Sequence, residues 1–242
     1  LAVLGLVATG CGGGGDKTAT PTTLGVESGP VTTTTVPSAK LDPVPAGRHR
    51  YSVQGISSSM ATGAGATVSL SREYEWAPPS GDRQRFFAVD RPSNVTEVEY
   101  RDDGVYLVSF SETMGGNLIT FAPPTPLLYL PLPATAGRAW SFELTSANGC
   151  YVWLFDGRVD GLDVPVTIGA KTSQTTRVFH GSTWRDTGQE GCVTLNLRAE
   201  RTFWFLPDRY FFIRQTSRVA GQTDATNSSG EELTILRSGI PL

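Results

Sequence analysis

The chain has 242 residues, with 20 lysines and arginines against 23 aspartates and glutamates, and its formal net charge is −3. No segment concentrates basic residues, so the sequence lacks the positively charged face that is typical of nucleic-acid-binding proteins. Apolar residues make up 39% of the chain, which is enough for one sizeable hydrophobic core. The 27 glycines and 16 prolines, together with the lack of long runs of Ala, Leu, Glu and Lys, favour β-structure over helix.

The chain begins with a short apolar segment, LAVLGLVA, which runs directly into Thr9-Gly10-Cys11. The segment is far shorter than the roughly 20 apolar residues that a transmembrane helix requires. Its length and composition are typical of the end of a secretory signal peptide. We therefore expect residues 1–10 to be the remainder of a truncated signal peptide.

Residues 12–45 are rich in glycine, threonine and proline, and they contain no aromatic residue. A segment of this composition cannot bury enough apolar surface to offset the entropy that it would lose on ordering. We therefore predict a disordered tether over residues 11–45 and a folded domain over residues 46–242.

Ala8-Thr9-Gly10-Cys11 resembles the cleavage box of bacterial lipoproteins, and the order of box, tether and C-terminal domain resembles actinobacterial surface lipoproteins. The resemblance implies cleavage before Cys11, diacylglycerol on the Cys11 sulfur with a further lipid such as palmitate on the new amino terminus, and anchoring to the outer face of the cytoplasmic membrane or the cell envelope. The alternative is an ordinary secretory signal followed by an unmodified cysteine.

From residue 46 onward, apolar and polar residues alternate with a period of two, which is the pattern of half-buried antiparallel strands. Tyr74 and Trp76, for example, share one face of a predicted strand, whereas Glu73 and Glu75 share the other. Turn-forming clusters separate these segments, and no run of 12 or more residues has helical periodicity. Strands are predicted at residues 50–56, 66–76, 83–89, 95–101, 104–110, 117–122, 140–145, 151–159, 164–168, 175–181, 192–200, 201–206, 209–219 and 232–236. The expected fold is all-β, a single antiparallel sheet that is curved or half-barrel-like.

Cys150 and Cys192 each follow a glycine at the start of a predicted strand. An exported domain folds under oxidising conditions, in which two thiols normally form a disulfide. Neither cysteine has histidine or cysteine partners at the short spacing of a metal site. We therefore predict a Cys150–Cys192 disulfide and no metal site.

The sequence contains no familiar catalytic or cofactor-binding motif, and it has only two histidines. His180, Ser182 and Asp186 are close enough in sequence to keep a hydrolase as an alternative. Glu97 and Glu99 would share one face of a strand, as a carboxylate pair for acid–base chemistry or, more simply, as part of a solvated face. We predict no catalytic residues and no cofactor.

Residues 203–214 contain six aromatic side chains in twelve positions. Aromatic residues in strands mostly serve packing, so we expect two adjacent core strands joined by a turn at Pro207-Asp208. The alternative is a wall of a hydrophobic ligand site formed by Trp204, Phe205, Tyr210 and Phe212.

A second resemblance covers residues 127–217, whose order of motifs is similar to that of uncharacterised exported β-sheet proteins. The matching positions are Gly137, Trp140, Gly161, Val164, Val166, Gly169, Thr176, Trp204, Pro207 and Arg214. The resemblance implies a fold and transfers no catalytic residue. We expect a non-enzymatic envelope lipoprotein that is anchored to the membrane and binds or scaffolds an envelope protein. The alternatives are a carrier of a lipid or other hydrophobic ligand and, third, an extracytoplasmic hydrolase.

Overall fold

A computed structural model describes residues 40–59, 65–114, 117–223 and 227–238. The predicted signal peptide, Cys11 and most of the predicted tether lie outside the described residues. The described part contains strands and no helix, so the all-β prediction is confirmed. The strands are β1 (Gly47–Ser59), β2 (Gly65–Trp76), β3 (Arg83–Ala88), β4 (Val95–Arg101), β5 (Gly104–Met114), β6 (Asn117–Phe121), β7 (Leu127–Pro131), β8 (Ala139–Thr145), β9 (Tyr151–Ile168), β10 (Lys171–Asp186), β11 (Leu195–Phe205), β12 (Phe212–Thr223) and β13 (Asn227–Ser238).

The strands form one antiparallel sheet composed of two meanders. β1 to β6 pair in chain order, β8 to β13 pair in chain order, and pairing of β1 with β13 joins the two halves. β7 pairs with β5 beyond the end of β6. The sheet curves until its two edges nearly meet, and there the backbone N–H of Ala147 donates to the carbonyl oxygen of Thr120 at 2.8 Å. The single, barrel-like sheet predicted from the sequence is thus confirmed.

Two pairs of predicted strands are single long strands in the structure. Residues 151–159 and 164–168 both belong to β9, and residues 195–205 form β11 without a break. β9 stays continuous because it pairs with β10 along almost its whole length, while a register irregularity near Arg177 absorbs the mismatch. Asp163, which has a φ of 52°, lies inside the same strand.

Large aromatic side chains fill much of the barrel. A sheet with twelve strands around its circumference encloses more space than an eight-stranded barrel, whose interior ordinary side chains can fill. Stacked ring pairs therefore take up interior volume, with centroid distances of 4.2 Å for Trp76 and Phe86 and 4.7 Å for Phe205 and Tyr210. One end of the barrel is consequently a solid aromatic core.

The segment before β1 also packs into this core. Leu41 and Val44, which belong to the predicted tether, are 6% and 1% exposed. The side-chain amide of Gln84 accepts a hydrogen bond from the Val44 N–H at 2.9 Å and donates one to the Val44 carbonyl at 2.6 Å. The packed part of the chain therefore begins before residue 46.

The structure confirms the predicted disulfide between Cys150 and Cys192, whose Cα atoms are 5.5 Å apart. The bond joins the β8–β9 turn to the β10–β11 loop. Both connections lie where β10 ends and β11 begins, and Cys150 packs there against a second buried cluster that includes Trp153 and Trp184.

A candidate ligand cavity inside the barrel

The barrel contains a cavity of about 570 Å³, within the range of small-molecule binding sites. Its walls come from the inward faces of β2 to β5 and β11 to β13, with one residue from β7 and three from loops. The lining residues are Arg72, Tyr74, Trp76, Phe86, Phe87, Ala88, Arg91, Asn94, Thr96, Phe110, Glu112, Tyr129, Leu195, Leu197, Arg201, Phe203, Phe205, Tyr210, Phe212, Gln215, Ser217, Val219, Gly221, Gly230 and Glu232.

The inner end of the cavity is aromatic. Pairing of β11 with β12 sets Phe205 opposite Phe212, and Tyr210 stacks on Phe205 from the connecting loop. Burial raises the pKa of Tyr129 to about 12 and raises that of Tyr210 well above its ordinary value, so both hydroxyl groups stay neutral. We call this surface the aromatic floor; its members are Tyr74, Trp76, Phe86, Tyr129, Phe203, Phe205, Tyr210 and Phe212.

Charged side chains line the cavity next to the aromatic floor. Arg201 is two residues before Phe203 in β11, and alternation in a strand turns both side chains inward. We call this group the charged belt; its members are Arg72, Arg91, Glu112, Arg201 and Glu232. The cavity therefore combines an apolar end with a charged wall.

The members of the charged belt differ in how well they are paired. Arg72 lies 3.4 Å from Glu232 and 3.9 Å from Asp90, measured between side-chain nitrogen and oxygen atoms. Burial raises the pKa of Glu112, although the positive charges of Arg201 and Arg91 oppose the shift. Within the described part of the chain, Arg201 makes no side-chain hydrogen bond and no ion pair within 4 Å.

The predicted ligand face agrees with the cavity at three of its four positions. Phe205, Tyr210 and Phe212 line the cavity, but Trp204 does not. Trp204 lies opposite Arg214 in the β11–β12 pair, next to a register irregularity that separates it from Phe205. The guanidinium of Arg214 instead lies 4.7 Å from the centre of the Trp204 ring. Trp204 thus lies against Arg214 and outside the cavity lining.

The candidate hydrolase residues are not joined into a triad. His180 is 3% exposed, and neither ring nitrogen has a hydrogen-bond partner. The Ser182 hydroxyl accepts a hydrogen bond from the Trp153 indole at 3.1 Å. The Asp186 carboxylate accepts bonds from backbone N–H groups. Burial lowers the pKa of His180 to about 3, and the positive charge of Arg201 adds to the shift.

Glu97 and Glu99 lie on the outer face of the sheet, in salt bridges with neighbouring arginines. Glu97 pairs with Arg85 at 3.1 Å, and Glu99 pairs with Arg83 at 3.0 Å and with Arg101 at 2.6 Å. Hydrogen bonding from Arg101, more than any other contact, lowers the pKa of Glu99. Both carboxylates are thus paired away from the cavity.

Among the described residues, no group of three or more His, Cys, Asp or Glu side chains is placed to hold a metal ion. The same part of the chain has no helix that is long and apolar enough to cross a membrane. Comparison of the chain with protein-family models, curated proteins and solved structures finds no match. The cavity is thus the feature from which function can be inferred.

Sequence reasoning missed the charged belt although its signal is present in the strand patterns. Arg72 occupies the position before Tyr74 on the apolar face of β2, and Arg201 occupies the position before Phe203 on the apolar face of β11. A charged residue at an inward position of a strand breaks the alternation that otherwise holds. Such breaks would have pointed to both arginines.

Proposed function

We propose that this protein is a non-enzymatic binding protein that holds a hydrophobic or amphiphilic small molecule inside its barrel. The observation that carries the proposal is the cavity of about 570 Å³ above the aromatic floor. We further propose that lipid on Cys11 anchors the protein at the outer face of the cytoplasmic membrane.

The composition of the cavity favours a ligand over solvent. Its volume equals that of about 20 water molecules at the density of the liquid. Water against the rings of the aromatic floor gains few hydrogen bonds, whereas an apolar ligand gains the free energy of burial. A ligand portion the size of one aromatic side chain buries about 200 Å². This burial is worth about 5 kcal/mol before the costs of association.

The surroundings of His180 favour binding over hydrolysis. A serine nucleophile needs a base within hydrogen-bond reach. The His180 ring instead packs among the rings of Tyr129, Phe155 and Phe203, with centroid distances of 4.9, 5.0 and 5.1 Å. An imidazole enclosed in this way has no route by which to take a proton from Ser182.

The test of ligand binding is a fluorescence titration of the exported full-length protein with N-phenyl-1-naphthylamine, an uncharged dye that brightens in apolar surroundings. Val219 is half-buried and lines the cavity, whereas its neighbour Ala220 is exposed on the outer face of β12. We expect saturable binding that Val219→Trp abolishes by filling the cavity and that Ala220→Trp leaves unchanged. Failure of the dye to bind, or equal binding by both variants, would overturn the proposal.

Native mass spectrometry of the same protein, purified without denaturant, would identify a retained ligand. An added mass that extracts into organic solvent and is missing from Val219→Trp supports carriage in the cavity. Anchoring has a separate test, in which Cys11→Ser should move the protein from the membrane fraction to the soluble fraction. An unchanged distribution would contradict the lipid anchor without bearing on the cavity.

A further inference from the structure

Arg201 lies on the inward face of the sheet, unlike the arginines that pair with glutamates across the outer face. On the outer face, arginines such as Arg85 and Arg218 pair with glutamates on the neighbouring strand, at 3.1 and 2.7 Å. Arg201 lies on the inward face and is half-buried, and no carboxylate of the described chain lies within 4 Å of its guanidinium. A guanidinium that has lost part of its hydration normally gains a partner.

The two glutamates that line the cavity do not provide an ion-pair partner for Arg201. Glu232 is engaged by Arg72. Glu112 interacts electrostatically with Arg201, but burial raises the pKa of Glu112 and so opposes its ionisation. The cavity lining thus presents three arginines against two glutamates, and neither Arg91 nor Arg201 has a carboxylate of the described chain within 4 Å; of the two, Arg91 is exposed to water and Arg201 is half-buried.

Resting on the proposed function, we infer that the ligand of this cavity is an amphiphile with an oxyanion head group, and that Arg201 binds this head group. The planar fork of a guanidinium matches the two oxygens of a carboxylate or phosphate. Arg201 is only two residues from Phe203 in β11. A head group at Arg201 would therefore place the apolar part of the ligand against the aromatic floor.

The test compares cis-parinaric acid, a fluorescent 18-carbon fatty acid, with its methyl ester, which has the same tail and no charge. We expect the full-length protein to bind the acid about 10- to 100-fold more tightly than the ester, as is typical of a desolvated charged hydrogen bond. Arg201→Gln should remove this preference and leave affinity for the ester unchanged. Arg201→Lys should restore part of the preference, because it restores the charge.

Two further variants separate a binding role from a structural one. Arg198→Gln changes an arginine on the outer face of the same strand, which pairs with Glu200 at 2.8 Å, and should leave both affinities unchanged. Glu112→Gln should tighten binding of the acid, because it removes a carboxylate that interacts with Arg201 and that would repel an anionic head group when ionised. A decrease would indicate that Glu112 and Arg201 merely stabilise each other, and would overturn the inference.

Competition experiments distinguish an amphiphile from a free anion. An alkyl phosphate should displace cis-parinaric acid, whereas inorganic phosphate at the same concentration should not. Displacement by inorganic phosphate would overturn the assignment of an amphiphilic ligand. Equal binding of acid and ester would refute the role of Arg201 while leaving the proposed function standing. Failure of both to bind would instead refute the proposed function.

Discussion

Replacement of His180 by phenylalanine tests whether the rings around this residue really isolate it. His180 is buried, and both of its ring nitrogens are without hydrogen-bond partners. Leaving such groups unsatisfied costs about 1–3 kcal/mol, and a phenylalanine ring has none of them. His180→Phe should therefore be at least as stable as the wild type at neutral pH.

The pH dependence of the free energy of unfolding separates the effect of protonating His180 from any effect of the substitution on packing. Burial lowers the pKa of His180 from 6.5 to about 3 in the folded protein. Because the folded-state pKa is lowered, the unfolded state binds the proton first. His180 therefore destabilises the fold as the pH falls from 6.5 toward 3. Between pH 7.5 and 5.0 the loss amounts to about 2 kcal/mol, and the variant should not suffer it.

The assay is urea unfolding of both proteins at pH 7.5 and at pH 5.0, followed by tryptophan fluorescence. For each protein, the free energy of unfolding at pH 5.0 is subtracted from that at pH 7.5. The contributions of the other titrating groups cancel when the two results are compared. His49, the second histidine, provides the control. Burial lowers the pKa of His49 as well, but a hydrogen bond between its Nε2 and the Pro45 carbonyl, at 3.3 Å, opposes the shift. His49→Phe should therefore remove a smaller part of the stability that is lost at pH 5.0. An equal loss of stability in wild type and His180→Phe would refute the reasoning.

Three further predictions concern stability. Gly157→Ala should cost about 1–3 kcal/mol, because the added Cβ would lie 2.2 Å from the Trp140 ring. In denaturant titrations the cost should vanish in a Trp140→Ala background, and its persistence there would contradict the cause. Joint replacement of Cys150 and Cys192 by serine should cost up to about 4 kcal/mol, and added reductant should then have no effect. Glu112→Gln should raise the melting temperature at pH 7 and not at pH 4, since the raised pKa means that ionisation of Glu112 opposes folding; an equal shift at both pH values would exclude this cause.

Local patterns predict most of this fold because each strand carries its own alternation. β4 is the clearest case, since Val98 and Tyr100 are buried and Glu97 and Glu99 lie on the outer face. The continuity of β9 could not be predicted in the same way, because Asp160-Gly161-Leu162-Asp163 has the composition of a turn. Pairing with β10, in which Gly161 lies opposite Arg177, keeps this stretch within the strand.

The closure of the barrel depends on contacts that no local pattern reveals. β1 pairs with β13, which is almost the whole domain away in sequence, and this pairing turns two meanders into one curved sheet. The burial of Val44 has a similar origin, because its backbone is bound by the side chain of Gln84. A Pro-rich segment without aromatic residues gives no hint that a distant glutamine will hold it.

Inward polar residues mark a ligand site only when they have access to a cavity. His180 and Arg201 are opposite each other in the β10–β11 register, and both break the apolar pattern of their strands. Rings seal His180 away from the cavity lining, so its polarity only costs stability, whereas Arg201 faces open volume in which a ligand can supply the missing partner. Breaks in a folding rule are expected at functional sites. The sequence reveals both breaks, and only the three-dimensional cavity shows that Arg201 is the one that can bind.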